Sequence, residues 1–166
     1  MPAAGLPTGQ ALWEYEMLTQ TIAFASVVFA ALALVPAMAH VLEMRSKLAL
    51  SRADYRTVQQ IYRGWSLAGV VVVAALVATA VLAYDMRHET ARFALAMSAL
   101  ACIAGTQVVF WIWTFPVNKA TSNWTVLPDD WERLRRRWER SHAASAALNL
   151  LALLCLAALL AREVSL

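Results

Sequence analysis

Two histidines are the reactive residues of this sequence that a purely structural role explains least well. His40 and His142 each lie near one end of a long run without Asp, Glu, Lys or Arg, and Asn118 closes a third such run. A neutral imidazole is a base near physiological pH, and an amide is able to stabilise an oxyanion. His142, His40 and Asn118 are therefore our candidate catalytic residues, although a histidine at a helix end also fits a structural role.

Stripes of polar residues predict which side of each helix faces its neighbours. At helical spacing, His142 shares a face with Trp138 and Asn149, and His40 shares a face with Ala33. Polar stripes turn inward because lipid cannot satisfy their hydrogen bonds. The two histidines are thus expected to meet in one pocket at one end of the molecule. The residues predicted to bind a ligand there are Tyr62, Trp124, Trp138 and Glu43.

A second polar layer is predicted about seven residues deeper in the apolar runs. Gln107 lies in the third run and Asn149 in the fourth, at a similar depth. A hydrogen bond between two membrane helices contributes about 0.6 to 2 kcal/mol. We therefore expect Gln107 and Asn149 to pair across helices.

Metal or haem chemistry has less support from these residues. His40 and Glu43 are three residues apart and could share an ion with His142, or the two imidazoles could be axial haem ligands. However, the paired Glu-x-x-His motifs of di-iron bundles are not present. We predict no metal site and no cofactor, with haem or a metal ion through His40 and His142 as the alternative.

Four uncharged runs establish the class of protein. Residues 17–42, 64–84, 93–118 and 141–161 contain no charged side chain, in a chain of 166 residues that is 61% hydrophobic. A helix needs about 20 apolar residues to cross the hydrocarbon layer. We predict an all-α fold with a single domain, residues 1–166, forming an antiparallel four-helix transmembrane bundle. Its spans are expected at about 17–42, 64–84, 93–115 and 141–161.

The distribution of basic residues predicts the orientation. Eleven of the fourteen Lys and Arg residues lie in the 41–63 and 119–140 connections. The positive-inside rule places both connections in the cytoplasm, so both termini are expected outside it, with the protein in the cell (cytoplasmic) membrane. Anionic headgroups explain the net charge of +3, so the predicted partner is the lipid bilayer and no nucleic acid. Homo-oligomerisation is left open.

Helical patterns continue into both basic connections. Tyr55, Gln59 and Tyr62 share a side at helical spacing in the first connection, and Asp129 and Asp130 suit the start of a helix in the second. The second and fourth helices are therefore expected to begin in the cytoplasm, about ten residues before their spans, and to continue into them without a break. Lys47 and the run 135–137 are expected to be ordinary topology charges facing headgroups.

The chain resembles the anthrone oxygenase-like family of small four-span membrane proteins, in particular a bacterial branch of it. The resemblance covers nearly the whole length. The residues that carry it most distinctively are Phe115-Pro116-Val117-Asn118, Asn123-Trp124, Trp131, Trp138 and His142, together with the stretches 40–45 and 55–65. The motifs indicate the family better than they indicate a reaction.

The resemblance implies oxidation of a polycyclic anthrone to a quinone by molecular oxygen, without metal or flavin. In that case His142 is the expected base, His40 or Asn118 the oxyanion partner, and aromatic side chains the walls of the site. The leading prediction is a membrane protein with a small-molecule pocket at the cytoplasmic end, taking a hydrophobic aromatic ligand. The alternatives are a cofactor-independent oxygenase, a haem- or metal-binding protein, and a structural membrane subunit.

Overall fold

The computed structural model describes residues 9–163, with the Glu163 side chain left out, and this part of the chain contains helices and no strand. The α-helices are α1 (Gly9–Ala49), α2 (Arg52–Gln59), α3 (Ala68–Asp85), α4 (Thr90–Val109), α5 (Phe115–Ala120) and α6 (Trp131–Glu163). Four helical stretches are long and apolar enough to cross a bilayer: Gly9–Ala49, Trp65–His88, Thr90–Ala120 and Trp131–Arg162. The predicted all-α class and the four apolar spans are confirmed.

The predicted unbroken helix leading into the second span is wrong. Helix α2 ends at Gln59 and is followed by two 3-10 turns, Gln60–Tyr62 and Trp65–Leu67. Between these turns Gly64 adopts a φ of +88°, a left-handed conformation that other L residues rarely adopt. The chain therefore changes direction at Gly64, before α3 begins. By contrast, α6 begins at Trp131 and runs without interruption, as predicted for the last span.

The long helices pack in a closed order, in which α1 contacts α3 and α6, and α4 contacts the same two helices. At one end, the Tyr15 and Thr19 hydroxyls near the start of α1 each donate to the Asp85 carboxylate at the end of α3, both at 2.6 Å. The start of α1 thus lies beside the end of α3.

Small residues form the core between the long helices. The buried cluster contains seven alanines with a few larger residues, namely Ala23, Ala30, Ala75, Ala83, Ala96, Ala99, Ala152, Leu82, Met86, Ile103, Leu156 and Leu159. Small side chains let membrane helices approach closely, which replaces the hydrophobic driving force that lipid does not provide. Large apolar side chains instead lie on the outside, such as Phe24 and Val35, which are 65% and 60% exposed. This inverted arrangement suits contact with lipid.

The predicted hydrogen bond between Gln107 and Asn149 is not formed. The Asn149 amide donates to the Ala33 carbonyl oxygen of α1 at 3.3 Å, and the Gln107 amide contacts its neighbour Thr106 at 3.4 Å. Asn149 is buried and faces α1, so its polar stripe does point inward. The deeper polar layer therefore connects α6 to α1.

A second core, here called the aromatic core, lies among the connections and consists of Tyr55, Val117, Trp124, Trp131, Leu134 and Trp138. It joins α2, α5, the 121–130 loop and the first turns of α6. Large flat rings bury far more area than alanine and have preferred edge-to-face contacts. This end of the molecule is thus held by aromatic packing, and it carries the predicted site residues.

Candidate functional site

The two histidines meet, as predicted. The ring centroids of His40 on α1 and His142 on α6 are 4.2 Å apart, with the rings tilted by 40°. The Trp138 indole lies edge-on to both imidazoles, with ring centroids 4.7 Å from His40 and 4.2 Å from His142. His40 and Trp138 are buried. The inward direction of both polar stripes is therefore confirmed.

Two aromatic residues from the 3-10 turns cover His40. The Tyr62 ring centroid is 4.5 Å from that of His40, and the Trp65 centroid is 5.8 Å away. The Tyr62 hydroxyl donates to a carboxylate oxygen of Glu43. Burial, and then the hydrogen bond to Glu43, raises the pKa of the Tyr62 phenol above its ordinary value. Tyr62 thus stays protonated and keeps its donor role at any physiological pH.

Lys47 contacts His40 directly, which sequence reasoning missed. Its side chain is only 3% exposed, and its ammonium nitrogen lies 2.8 Å from His40 Nδ1. An ammonium group has donors and no acceptor, so His40 Nδ1 must accept and its own proton must be on Nε2. The neighbouring lysine thereby holds His40 in one neutral tautomer.

A fully buried carboxylate balances Lys47. Glu139 is 0% exposed, with Oε2 3.1 Å from the Lys47 ammonium and Oε1 accepting from the Tyr55 hydroxyl at 3.0 Å. The carboxylate of Glu43 lies on the other side of the ammonium at 3.6 Å. Burial, and then the negative charge of Glu139, raises the pKa of the Tyr55 phenol. Two acids and one lysine therefore form an ionic chain next to the imidazoles, in which Lys47 and Glu139 are buried and Glu43 is partly exposed.

Arg135 is a second buried cation, which corrects the expectation that residues 135–137 face headgroups. Its guanidinium donates to the Leu50 and Lys47 carbonyl oxygens at 3.0 and 3.3 Å, and lies 4.5 Å from the ring centroid of Trp131. Carbonyl groups at the C-terminus of a helix lack intrahelical partners and attract cations. Arg135 thus binds the end of α1 to α6.

Asn118 and Trp124 both contact Trp138, which in turn contacts the two histidines. The side-chain oxygen of Asn118, Oδ1, accepts from the Trp138 indole N–H at 2.8 Å. The Trp124 ring packs edge-on against Trp138 and against Tyr55, at centroid distances of 5.7 and 5.0 Å. The structure therefore gives Asn118 a positioning contact with Trp138 through its side-chain oxygen.

Trp124 lies in a strained loop. Ser122, Asn123 and Trp124 have consecutive φ values of 46°, 54° and 63°. A bulky residue at positive φ is uncommon and persists only when its surroundings hold it. The Trp124 side chain is 3% exposed inside the aromatic core, and its backbone N–H donates to the Thr121 hydroxyl at 3.1 Å. Packing of one indole thus holds the loop that caps this end.

One imidazole nitrogen in the cluster has no partner. His142 Nε2 is buried and forms no hydrogen bond within residues 9–163. Buried polar atoms are usually hydrogen-bonded, because an unpaired one costs about 1–3 kcal/mol. The neighbouring His40 nitrogen is occupied by Lys47, so the two imidazoles have different hydrogen-bond environments. His142 Nε2 therefore differs from His40 Nδ1 in having no hydrogen-bond partner among the described residues.

Within the described residues, no group of three or more His, Cys, Asp or Glu side chains could hold a metal ion. The Lys47 ammonium is already placed on His40, and a cation there opposes the approach of a second one. Cys102 on α4 and Cys155 on α6 are free, half-buried cysteines and are not part of the histidine cluster.

The side chains that were predicted to line a pocket contact one another. His40, His142, Tyr62 and Trp138 fill the shared space with their rings, at centroid distances between 4.2 and 6.4 Å. Two surface grooves, of about 470 and 620 Å³, are lined by other residues. A flat ligand would therefore reach the imidazoles only when the covering rings separate from them.

Sequence reasoning missed Lys47 and Glu139, although a pattern for both is present. The buried residues of α1 recur at alternate spacings of three and four, and Ser26, Ala33, His40 and Lys47 are seven apart. Extending the predicted stripe by seven residues beyond His40 would have reached Lys47. Glu139 lies three residues before His142, one turn along the same helix.

Comparisons with protein-family models, with curated proteins and with solved structures found no match for this chain.

Proposed function

We propose that this chain is a multi-pass membrane protein that binds a hydrophobic aromatic small molecule at the histidine cluster and removes a proton from it. The observation that carries the proposal is the buried, unpartnered His142 Nε2 beside a His40 held by Lys47. A general base must present a free lone pair to its substrate, and His142 Nε2 does so in the tautomer that carries its proton on Nδ1. His40 Nδ1 already accepts from the Lys47 ammonium, so His40 is not free to take the proton from the substrate. His142 is therefore the base.

The ionic chain bears on the anion that proton removal forms. The Lys47 ammonium contacts His40 and lies within 3.6 Å of the carboxylates of Glu139 and Glu43. Fixed charges in a buried site act more strongly than in water, because little solvent screens them. Lys47, in turn, provides a positive charge that can stabilise an anionic substrate. The cluster therefore places a fixed positive charge near the anion that forms from a neutral carbon acid.

The reaction that we assign is oxygenation of a polycyclic anthrone without a cofactor, as the family resemblance implies. His142 removes one proton from the acidic CH2 carbon, and the resulting carbanion is oxidised as it adds molecular oxygen to form a C–O bond. The peroxide anion takes the proton back from His142. The resulting hydroperoxide loses its remaining C–H proton while the O–O bond breaks and hydroxide leaves, and this proton and the hydroxide form water. The products are a ketone and one molecule of water, so the oxygen molecule is the only oxidant.

Entry to the site is assigned to the turn that carries Tyr62 and Trp65. These rings cover His40, and Gly64 with its positive φ lies between them. Tyr62 and Trp65 contact each other edge-on at 4.9 Å, so they can move together. A planar aromatic molecule arriving from the bilayer would replace these rings against the imidazoles and Trp138.

The test is aerobic incubation of the purified protein with anthrone in mild detergent. We expect anthraquinone formation above the uncatalysed rate, one atom of labelled oxygen from 18O2 in each anthraquinone molecule, and no loss of rate after treatment with a chelator. Anaerobic samples should form no quinone. Quinone formation no faster than in buffer would rule out the oxygenase assignment, whereas quenching of tryptophan fluorescence by anthrone would still support ligand binding.

A second candidate, a purely structural cluster, is favoured by the mutual contact of the rings. Edge-to-face aromatic pairs and a buried ion pair also hold helices together without any ligand. In that case anthrone would neither quench the fluorescence nor be turned over. The same incubation therefore separates the two candidates.

We further propose an antiparallel bundle in the cytoplasmic membrane, with the histidine cluster and the start of α6 on the cytoplasmic side. The contact between the start of α1 and the end of α3 supports the antiparallel order. The eleven basic residues of the two connections, against three elsewhere, support the orientation. The terminal residues 1–8 and 164–166 lie outside the described part of the chain.

A reporter fused after Leu166 tests the topology. Alkaline phosphatase fused there should be active, because this enzyme matures only outside the cytoplasm, and a fusion after Ser122 should be inactive. A fluorescent protein that matures only in the cytoplasm should give the opposite pattern at the two positions. Phosphatase activity from the Ser122 fusion would place the histidine cluster on the wrong side and contradict the orientation.

A further inference from the structure

A groove of about 620 Å³ lies on the surface between α6 and the end of α4, apart from the histidine cluster. We call it the arginine groove. Its lining residues are Val109, Trp113, Arg133, Arg136, Arg137, Arg140, Ser141 and Ala144. The proposed function uses none of them. The four arginines lie at spacings of three, four and seven along α6, so they form one continuous face of this helix.

The arginine groove has a strong positive charge. Arg133 and Arg136 pair with Asp130 and Glu132, but both acids lie outside the lining, and the Arg136 pair is loose at 3.7 Å. Arg140 forms no ion pair in the described part of the chain. Among the described residues, no carboxylate lines this groove. Its composition therefore favours an anion.

A local change in helix geometry shapes one wall of the groove. Residues Phe110–Thr114 form a single π-helical turn between α4 and α5, and such turns are frequent at functional sites. The Ile112 carbonyl oxygen in this turn accepts from the Arg137 guanidinium at 2.7 Å. Arg137 Nε is buried and has no hydrogen-bond partner within residues 9–163. Arg137 is thus held in place while part of its guanidinium stays unsatisfied.

The groove also has an apolar end. Val109 and Ala144 belong to uncharged runs of the sequence, whereas the four arginines belong to the basic connection. Trp113, which is 44% exposed, lies between these regions, and tryptophan is enriched at the level of lipid headgroups. A free phosphate ion would use only the basic end. A phospholipid would use both ends, with its headgroup among the arginines and its chains beside Val109 and Ala144.

We propose that the arginine groove is a binding site for an acidic phospholipid, with the phosphodiester held by Arg133, Arg136 and Arg140. Guanidinium groups form paired hydrogen bonds with phosphate oxygens, and basic pockets beside membrane helices recognise acidic headgroups. The site does not depend on the assignment of catalysis to His142. It gives this membrane face a preference for one class of lipid.

The test is native mass spectrometry of the full-length protein in detergent, titrated with phosphatidylglycerol or phosphatidylcholine. We expect phosphatidylglycerol to bind at least about tenfold more tightly. The double variant R136Q/R140Q should weaken its binding about 30-fold, at the typical contribution of each basic residue near a lipid surface. The matched control R56Q/R63Q removes the same charge from the other surface groove, which Arg56 and Arg63 line. It should change binding less than about threefold.

Three results would overturn the proposal. Equal weakening by both double variants would show attraction to overall charge instead of a site. Equal affinity for phosphatidylglycerol and phosphatidylcholine would show that the headgroup is not recognised. Competition by glycerol phosphate at the same concentration as the lipid would show a site for a free anion, with no role for the apolar end. The folding of each variant is checked by circular dichroism before titration.

Discussion

Replacing Lys47 with methionine is expected to lower the free energy of unfolding by about 3–5 kcal/mol, the largest stability effect that we predict. The substitution keeps most of the side-chain volume but leaves the carboxylate of Glu139 buried without its cation. Glu139 is 0% exposed and lies 3.1 Å from the ammonium, so solvent cannot replace that partner. His40 Nδ1 also loses its donor. The measurement is reversible unfolding in mixed detergent micelles, followed by circular dichroism.

A double-mutant cycle separates the ion pair from other losses. Adding Glu139→Gln to the Lys47→Met variant removes the isolated charge, while the amide oxygen can still accept from Tyr55. The double variant should therefore be more stable than Lys47→Met alone. Arg45→Met is the control, because Arg45 is an exposed cation on the same helix, and it should change stability by less than about 0.5 kcal/mol. A Lys47→Met variant as stable as this control would contradict a buried ion pair.

His142→Ala is expected to lower kcat/KM for anthrone oxygenation at least about 100-fold, which is the usual contribution of a general base. The variant removes the only nitrogen that we assign to proton removal. It leaves Lys47, Glu139 and His40 in place, so binding measured by tryptophan fluorescence should change much less than turnover. Added imidazole should restore part of the rate by occupying the space of the missing ring. Such rescue is not expected if His142 has only a packing role.

His88 provides the matched control for this experiment. It is exposed in the 3-10 turn Met86–His88, at the end of α3 that contacts the start of α1. His88→Ala also removes an imidazole, but at a position far from the histidine cluster. This variant should keep the wild-type kcat/KM. Equal loss in both variants would indicate a general effect of histidine removal on the protein. An unchanged rate in His142→Ala would assign the base to another residue.

The spans and the meeting of the two histidines could be derived from sequence because both depend on local properties. The length of an uncharged run determines whether a helix can cross the hydrocarbon layer. The spacing of polar residues determines which side of that helix turns inward, which is how His40, His142 and Trp138 were placed together. Both inferences need no knowledge of the neighbouring helix. The break before α3 was missed because Gly64 is compatible with either a helix or a left-handed turn.

The burial of charge was decided by the tertiary structure. Lys47 and Arg135 belong to sequence segments whose other charges are mostly exposed, and both were therefore expected to face headgroups. A charged side chain becomes buried only where partners from other elements offset its desolvation, and here those partners are up to 92 residues away, from Lys47 to Glu139. The partner of Asn149 was also decided by packing between helices. Whether its amide meets the Gln107 side chain or the Ala33 carbonyl oxygen depends on how far α6 turns toward α1. Sequence determined the membrane class and the inward faces, whereas packing between helices determined which charges and imidazole nitrogens pair within them.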